Sequence, residues 1–150
     1  MTDTRIELLQ ATPLFGGIRD DIVGFVLARA PTITVARGEC FFREGERADC
    51  MYVLERGQAV VVQGGGESER VLRTLDRGAC FGEMSLMDLA PRSASVRAVS
   101  DCTALQVSAA CLFEIYQKDL EQFAMIEMNM GREVTRRLRE RDAAPRVKPD

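Results

Sequence analysis

The sequence contains no histidine among its 150 residues. Histidine is the usual general base near neutral pH, the commonest metal ligand and the usual haem ligand. Its absence nearly excludes the cupin enzymes, the obvious alternative for a small β-rich domain, because they generally hold their metal through histidines. We therefore expect a protein that is not an enzyme and that holds neither a metal nor a cofactor.

The sequence also lacks a long apolar run, since none approaches the ~20 residues that cross a bilayer. The N-terminus carries Asp3, Arg5 and Glu7 in place of the apolar segment of a secretion signal. A formal net charge of −3 argues against nonspecific binding to nucleic acid or to anionic membranes. These features predict a soluble cytoplasmic protein that binds neither membrane nor DNA directly.

The five cysteines are scattered along the chain, and no two of them have the spacing of a zinc or iron–sulfur motif. An odd number of dispersed cysteines is typical of buried free thiols in a reducing compartment. The sequence predicts this structural role for Cys40, Cys50, Cys80, Cys102 and Cys111.

Helices are predicted before and after a β-rich centre. A capping-box spacing of Thr4 and Glu7 predicts a short helix that ends before Pro13, and helical periodicity predicts a second helix over roughly residues 18–29. Short runs between turn residues then predict eight strands, which is typical of a β-sandwich or jelly roll. These strands are Thr32–Ala36, Cys40–Arg43, Met51–Glu55, Gln58–Gln63, Arg70–Leu75, Ala79–Phe81, Ser95–Val99 and Cys102–Val107. Three consecutive glycines at 64–66 predict a flexible hairpin loop without a ligand role.

After the strands, Ser108 is placed to cap a helix through Tyr116, and a longer helix is predicted from about Lys118 to Arg141. The longer helix carries one apolar stripe, formed by Phe123, Ile126, Met130, Val134 and Leu138. Either a bend or close packing against another backbone would account for Gly131 within it. We expect one domain over residues 1–141, with its β-roll at about 32–108 and C-terminal helices at about 109–141. A flexible tail is expected over 142–150.

One motif indicates a ligand-binding site. Phe81 to Leu86 reads Phe-Gly-Glu-Met-Ser-Leu, and five residues later Arg-Ser-Ala-Ser-Val begins at Arg92. Backbone N–H groups at a helix start favour a phosphate, and a guanidinium adds a charge-assisted contact to its oxygens. The carboxylate of Glu83 would repel a phosphate but would accept a hydrogen bond from a sugar hydroxyl. A carboxylate suited to a ribose, beside a guanidinium suited to a phosphate, predicts a pocket for a small nucleotide.

This motif resembles the phosphate-binding cassette of cyclic nucleotide-binding domains. That family includes the sensor domain of the bacterial catabolite activator protein and the regulatory subunits of cAMP-dependent kinase. Turn glycines also match the family's positions, and the resemblance covers roughly Leu8 to Leu138. It implies an α+β, mainly β fold: an eight-stranded jelly roll with N-terminal helices and a C-terminal helix pair that acts as a lid over the ligand.

The resemblance assigns two charged ligand residues. It implies that Glu83 accepts a hydrogen bond from the ribose 2′-hydroxyl, and that Arg92 binds the exocyclic oxygens of the cyclic phosphate. The alternative for Glu83 is a solvated carboxylate or a partner for Arg92 across the loop, and the alternative for Arg92 is a surface arginine. Without ligand, Glu83 and Arg92 are expected to be able to compensate each other's charge.

The remaining ligand residues are carried over with weaker support. Ser93 occupies a variable position whose hydroxyl is compatible with cAMP and with cGMP, and we favour cAMP. Gly82, Met84, Ser85 and Ala94 are expected to contribute mainly backbone groups, although Ser85 has a simpler interpretation as a helix or turn hydrogen-bonder. Val61, Leu72 and Arg73 lie on strands that pass beneath the base and sugar. Val61 and Leu72 are equally typical of core, and a solvent-facing Arg73 stays open. Cys80 departs from the family pattern.

The favoured function is a stand-alone cyclic nucleotide sensor that signals through the C-terminal helix lid to a partner protein of unknown identity. One alternative is an interaction or dimerisation module with a vestigial pocket, in which the apolar stripe of the last helix forms a homodimer. Another is the sensor part of a DNA-binding regulator that lacks its DNA-binding domain, because too little sequence follows the last helix for a helix-turn-helix.

Overall fold

A computed structural model describes residues 4–143 of the chain. Two helices precede the strands, a short one lies among them and two follow. The helices are α1 (Thr4–Gln10), α2 (Asp20–Arg29), α3 (Met84–Asp88), α4 (Ala109–Lys118) and α5 (Leu120–Ala143). The strands are β1 (Thr32–Val35), β2 (Cys40–Phe42), β3 (Cys50–Arg56), β4 (Ala59–Gln63), β5 (Arg70–Leu75), β6 (Cys80–Phe81), β7 (Ser95–Ala98) and β8 (Cys102–Ser108). The eight predicted strands are therefore confirmed, with ends that move by at most one residue.

The strands form two four-stranded sheets with antiparallel pairing. One sheet has the order β1-β8-β3-β6 and the other has the order β2-β7-β4-β5. Residues from both sheets share one apolar core, which includes Tyr52, Leu54, Phe81, Val96 and Ala104. This is the β-sandwich of the predicted jelly roll, and it places β6 and the start of α3 beside the centre of β3.

A second core joins the helices to the first sheet. Successive side chains of a strand point to opposite faces, so Tyr52 and Leu54 of β3 enter the sandwich core while Met51 and Val53 enter this second core. Buried side chains from the helices and from the loop between α1 and α2 pack there with them, namely Leu9, Phe15, Ile22, Val26, Ile115, Ile126 and Met130. The apolar stripe of α5 is thus buried only in the first half of that helix, and Leu138 is exposed.

Local signals in the sequence set several helix ends. Ser108 caps α4, because its hydroxyl oxygen accepts a hydrogen bond from the backbone N–H of Cys111 at 3.0 Å. α5 continues through Gly131 without a break in the helix. No other described heavy atom lies within 4 Å of where a Cβ of Gly131 would be, so close packing against another backbone is wrong as its explanation. The glycines at 64–66 lead into a 3₁₀ turn at Gly66–Ser68.

Of the tail expected over residues 142–150, Asp142 and Ala143 belong to α5 and the rest lies outside the described residues. No helix in the described range combines the length and the apolar character needed to cross a membrane.

Candidate functional site

The site is built around the turn that joins β6 to α3. Gly82 follows β6 with φ +82°, a backbone conformation that glycine adopts at little cost. A Cβ at this position would lie 2.7 Å from Nη1 of Arg92 and 3.2 Å from the ring of Phe42. Gly82 is therefore required both for the turn and for the close approach of the arginine.

Arg92 is buried, with 4% of its surface exposed. Its Nη1 donates to the carbonyl oxygen of Gly82 at 2.7 Å, and its Nη2 donates to the carbonyl oxygen of Cys50 at 2.7 Å. The guanidinium carbon lies 3.9 Å from the centroid of the Phe42 ring. Nε of Arg92 is buried and has no hydrogen-bond partner among the described residues. The alternative of a surface arginine is wrong.

Glu83 is also buried, with 1% of its surface exposed, so the alternative of a solvated carboxylate is wrong. Its Oε1 accepts a hydrogen bond from Nη1 of Arg137 on α5, and the two residues form an ion pair. Its Oε2 is buried and, within the described part of the chain, lacks a partner. The expected compensation of Glu83 by Arg92 is wrong as well, because Arg92 donates to two backbone carbonyls while Arg137 reaches Glu83 from the last helix.

Arg137 belongs to a network that ties α5 to the turn. Its Nη2 donates to the carbonyl oxygen of Cys80 at 2.8 Å, and its Nε donates to Glu133 at 3.2 Å. Arg136 also pairs with Glu133, at 2.6 Å. Burial acts to raise the pKa of Glu133, but the hydrogen bond from Arg136 and the charge of Arg137 outweigh it, so that this pKa lies below its usual value. The network therefore keeps the carboxylate of Glu133 ionised beside Arg136 and Arg137.

Strands β4 and β5 bring two further predicted residues together. Val61 and Arg73 are direct cross-strand partners, and Val61 is also paired with Val96. Arg73 is half-buried at the edge of a cleft of about 320 Å³ that Glu133, Arg136 and Arg137 also line. Burial lowers the pKa of Arg73, the charge of Arg137 lowers it further, and Glu83 opposes both effects. Arg73 therefore faces the α5 network, while Leu72 is 48% exposed.

The other predicted residues lie around the same turn with different exposure. Ser85 and Ala94 are buried, Met84 is 44% exposed and Ser93 is exposed. The carbonyl oxygen of Ser93 accepts a hydrogen bond from the side chain of Gln63 at 3.0 Å, which ties the loop to β4. The structure thus brings Arg92 against Gly82 in the turn that also carries Glu83 and Ser85, whereas Met84 and Leu72 are exposed.

Three residues of the site were not found from the sequence: Phe42, Cys50 and Arg137. The spacing of Glu133 and Arg137 indicates a helical pair, but nothing local indicates that Arg137 meets Glu83, 54 residues earlier. Phe42 and Cys50 lie on strands that meet the turn only through the sheet packing. Contacts of this kind depend on the tertiary fold.

Cys80, which departs from the family pattern, lies buried directly before the turn. Burial raises the pKa of its thiol to about 12, so the thiol stays neutral and inert. Among residues 4–143, no three cysteine, aspartate or glutamate side chains come together in a group that could hold a metal ion.

A separate groove of about 440 Å³ runs between α3, α4 and α5. Its lining is apolar apart from Glu127 and consists of Leu86, Met87, Ala109, Leu112, Phe113, Tyr116, Phe123 and Met130. Leu86 and Met87 belong to α3, so this groove adjoins the turn that carries Glu83.

Comparisons with known proteins point to one family. A family model described as cyclic nucleotide-binding domain matches residues 32–119. The cyclic AMP receptor protein of Thermus thermophilus is 31% identical over 135 residues, which are 89% of this chain and 61% of that protein. A cAMP-dependent protein kinase regulatory subunit of Emericella nidulans is 33% identical over 93 residues, which are 62% of this chain and 22% of that subunit.

A solved structure gives the same answer. The crystal structure of the Thermus thermophilus catabolite activator protein matches with a TM-score of 0.76 at 30% identity, over 87% of this chain and 60% of that one. The chain spans less than two thirds of the length of each of these three relatives.

Proposed function

We propose a function for this chain on the basis of its family: it belongs to the cyclic nucleotide-binding domain family. Within that family, the protein is a regulatory sensor that binds a cyclic nucleotide at the β6–α3 turn and passes the signal to a partner protein. It acts in the cytoplasm, and it neither catalyses a reaction nor binds DNA directly.

The observation that carries this proposal is a pair of incomplete polar groups. Oε2 of Glu83 and Nε of Arg92 are both buried, and both lack a hydrogen-bond partner among the described residues. A buried polar atom without a partner costs about 1–3 kcal/mol, and more when the group is charged. The two incomplete groups belong to the two residues that resemble the family's ribose and phosphate ligands. A cyclic nucleotide would supply a hydrogen-bond partner to each of these two atoms.

The chemistry of each group matches one part of the ligand. Arg92 offers a donor at Nε while its two Nη atoms are held by carbonyl oxygens, so its orientation is fixed before the ligand arrives. A guanidinium held in this way binds a phosphate oxygen with little loss of side-chain entropy. Glu83 retains Oε2 as an acceptor for a ribose hydroxyl. Arg92 therefore binds the phosphate, and Glu83 binds the sugar.

The contact of Arg137 with Glu83 couples this site to α5. A hydroxyl that approaches Glu83 changes the surroundings of Arg137, and with it the docking of the last helix. A ligand shifts such an equilibrium only by its different affinity for the two positions of the helix. α5 is thus the element that reports binding, and the partner protein reads its position.

For the ligand itself we favour cAMP over cGMP. Ser93 is compatible with both, and the names of the two curated relatives contain cAMP or cyclic AMP. Arg73 argues the other way, because a guanidinium offers donors only and suits the two acceptors of guanine, O6 and N7. Both nucleotides therefore need to be titrated.

The test is isothermal titration of cAMP and cGMP into the purified chain, with Arg92→Ala as the site variant. Loss of a charge-assisted contact in a buried site should cost about 2–5 kcal/mol, so the affinity of the wild type should fall by roughly 30- to 5,000-fold. Arg56→Ala is the matched control, since Arg56 is an exposed arginine at the end of β3. Absence of binding to the wild type would contradict the proposal, as would equal binding by the two variants.

A second candidate function is supported by the exposed apolar side chains of the last helices. Phe113 and Tyr116 are 56% and 47% exposed beside the groove at α3, and Leu120 is 61% exposed. Large exposed apolar patches mark interaction surfaces. An interaction or homodimerisation module would show concentration-dependent association by light scattering and no heat with either nucleotide.

A further inference from the structure

The aromatic ring of Phe42 lies against the phosphate-binding arginine. The guanidinium carbon of Arg92 is 3.9 Å from the centroid of that ring, well within the distance for a cation–π interaction. The same ring approaches Gly82, where a Cβ would meet it at 3.2 Å. Phe42 thus contacts both the arginine and the glycine whose carbonyl accepts a hydrogen bond from that arginine.

The contacts of Arg92 restrict different motions of its guanidinium. The carbonyl oxygens of Gly82 and Cys50 lie 2.7 Å from its two Nη atoms and fix its position at that end. Two such bonds still allow the planar group to tilt about the line that joins them. The ring of Phe42 lies against the guanidinium and opposes that tilt.

We propose that Phe42 is a positioning residue for ligand binding, which holds the Arg92 guanidinium by a cation–π contact so that Nε faces the phosphate. The inference rests on the proposed function, because the positioned group is the presumed phosphate ligand. In this role Phe42 acts through Arg92. Nothing in the local sequence indicates this role, since Phe42 lies 50 residues before Arg92.

The chain provides a matched control in the preceding residue. Phe41 and Phe42 are both half-buried and both pack against the sandwich core. Both contact the rings of Tyr52 and Phe81. The ring centroid of Phe41 lies 5.5 Å from that of Tyr52 and 5.0 Å from that of Phe81. For Phe42 the corresponding distances are 6.0 Å and 6.3 Å. Phe42 alone of the two has a recorded cation–π contact within the described residues. Phe41→Leu therefore removes similar core packing without the contact to Arg92.

The first measurement is the affinity for cAMP and cGMP by titration. Phe42→Leu should weaken binding by roughly 5- to 30-fold, which is the range expected from a partly to fully desolvated cation–π contact. Phe42→Tyr keeps the ring and should bind within about two-fold of the wild type, and Phe41→Leu should do the same. Phe42→Met, also without a ring, replaces Phe42→Leu if that variant does not fold. Equal losses in the Phe41 and Phe42 variants would overturn the proposal.

The second measurement separates this inference from the proposed function. The Nε–H proton of Arg92 gives an NMR signal that ring currents shift, and it can be assigned by its loss in Arg92→Lys. Loss of the ring current alone moves that signal in Phe42→Leu, so the informative change is its width: the signal should broaden in Phe42→Leu as the guanidinium is released, and it should stay sharp in Phe42→Tyr and Phe41→Leu. If the wild type binds no nucleotide, the proposed function fails, yet this signal still tests whether Phe42 holds Arg92. A signal in Phe42→Leu as sharp as that of the wild type would overturn the inference.

Discussion

At the scale of single residues, Gly82 determines how closely Arg92, the proposed phosphate ligand, approaches the turn. Replacement by alanine would add strain at φ +82° and would place a Cβ 2.7 Å from Nη1 of Arg92. The guanidinium would have to move away from the carbonyl of Gly82. We expect Gly82→Ala to lose about 1–2 kcal/mol of folding stability and to lose nucleotide binding as well.

The control for this prediction is Gly38→Ala. Gly38 has φ +87°, but no heavy atom of the described residues lies within 4 Å of its added Cβ. Denaturant unfolding should show a loss of stability in both variants, larger in Gly82→Ala because of its clash with Arg92, whereas titration should show lost affinity only in Gly82→Ala. Full binding by Gly82→Ala would mean that Arg92 does not need its observed position.

The sequence predicts part of this site because part of it is contiguous. Gly82 and Glu83 follow one another in a recognisable motif, and Arg92 follows at a fixed spacing, so local sequence identifies all three. Arg137 and Phe42 reach the same point from α5 and β2, and only tertiary packing brings them there. The alternative in which Glu83 pairs with Arg92 is wrong for this reason: Arg92 is close in the sequence, whereas nothing in the sequence indicates the contact with Arg137.

At the scale of secondary-structure elements, one buried ion pair attaches the second half of α5 to the sandwich. The side chains of Arg137 and Glu83 are 16% and 1% exposed. Removal of one partner from such a pair leaves the other charge buried and unpaired. We therefore expect Arg137→Ala to lower the free energy of unfolding by about 3 kcal/mol in urea titrations.

Arg139→Ala is the comparison for this prediction, since Arg139 is an exposed arginine on the same helix. It should change the stability by less than about 0.5 kcal/mol. Combining Arg137→Ala with Glu83→Gln should recover part of the loss, because the unpaired charge is then absent. Equal effects of Arg137→Ala and Arg139→Ala would show that the ion pair does not hold the helix.

The elements themselves were predictable to a greater extent than their contacts. Short β-branched and aromatic runs between glycine turns gave all eight strands, and Ser108 gave the start of α4. Gly131 did not interrupt α5, because a mid-helix glycine costs about 1 kcal/mol and the burial of Ile126 and Met130 offsets that cost. The cost of Gly131 can be read from the sequence, whereas the burial that outweighs it cannot.

At the scale of the whole molecule, α5 divides into two halves with different attachment. In the first half, Ile126 and Met130 are at most 1% exposed and belong to the core that joins the helices to the sheet. In the second half, Glu133 is buried but Leu138 is 53% exposed, and Arg137 makes the recorded links to Glu83 and Cys80. The sequence did not reveal this division in advance, because the burial of each half of α5 depends on contacts with segments that are distant in the sequence.

This division predicts how a ligand should alter the dynamics of the chain. Segments with few buried apolar contacts open at a low free energy, so amides after Gly131 should exchange hydrogen faster than those of the first half of α5. A bound nucleotide should slow exchange in the β6–α3 turn and in residues 132–141, because Glu83 lies in that turn and Arg137 contacts it from α5. Exchange in β1 and β8 should change little, except for amides that exchange only through global unfolding.

Hydrogen exchange by mass spectrometry, with and without saturating cAMP, measures each segment. Protection confined to the turn, with residues 132–141 unaffected, would show that α5 does not report binding and that the signal leaves the domain by another route.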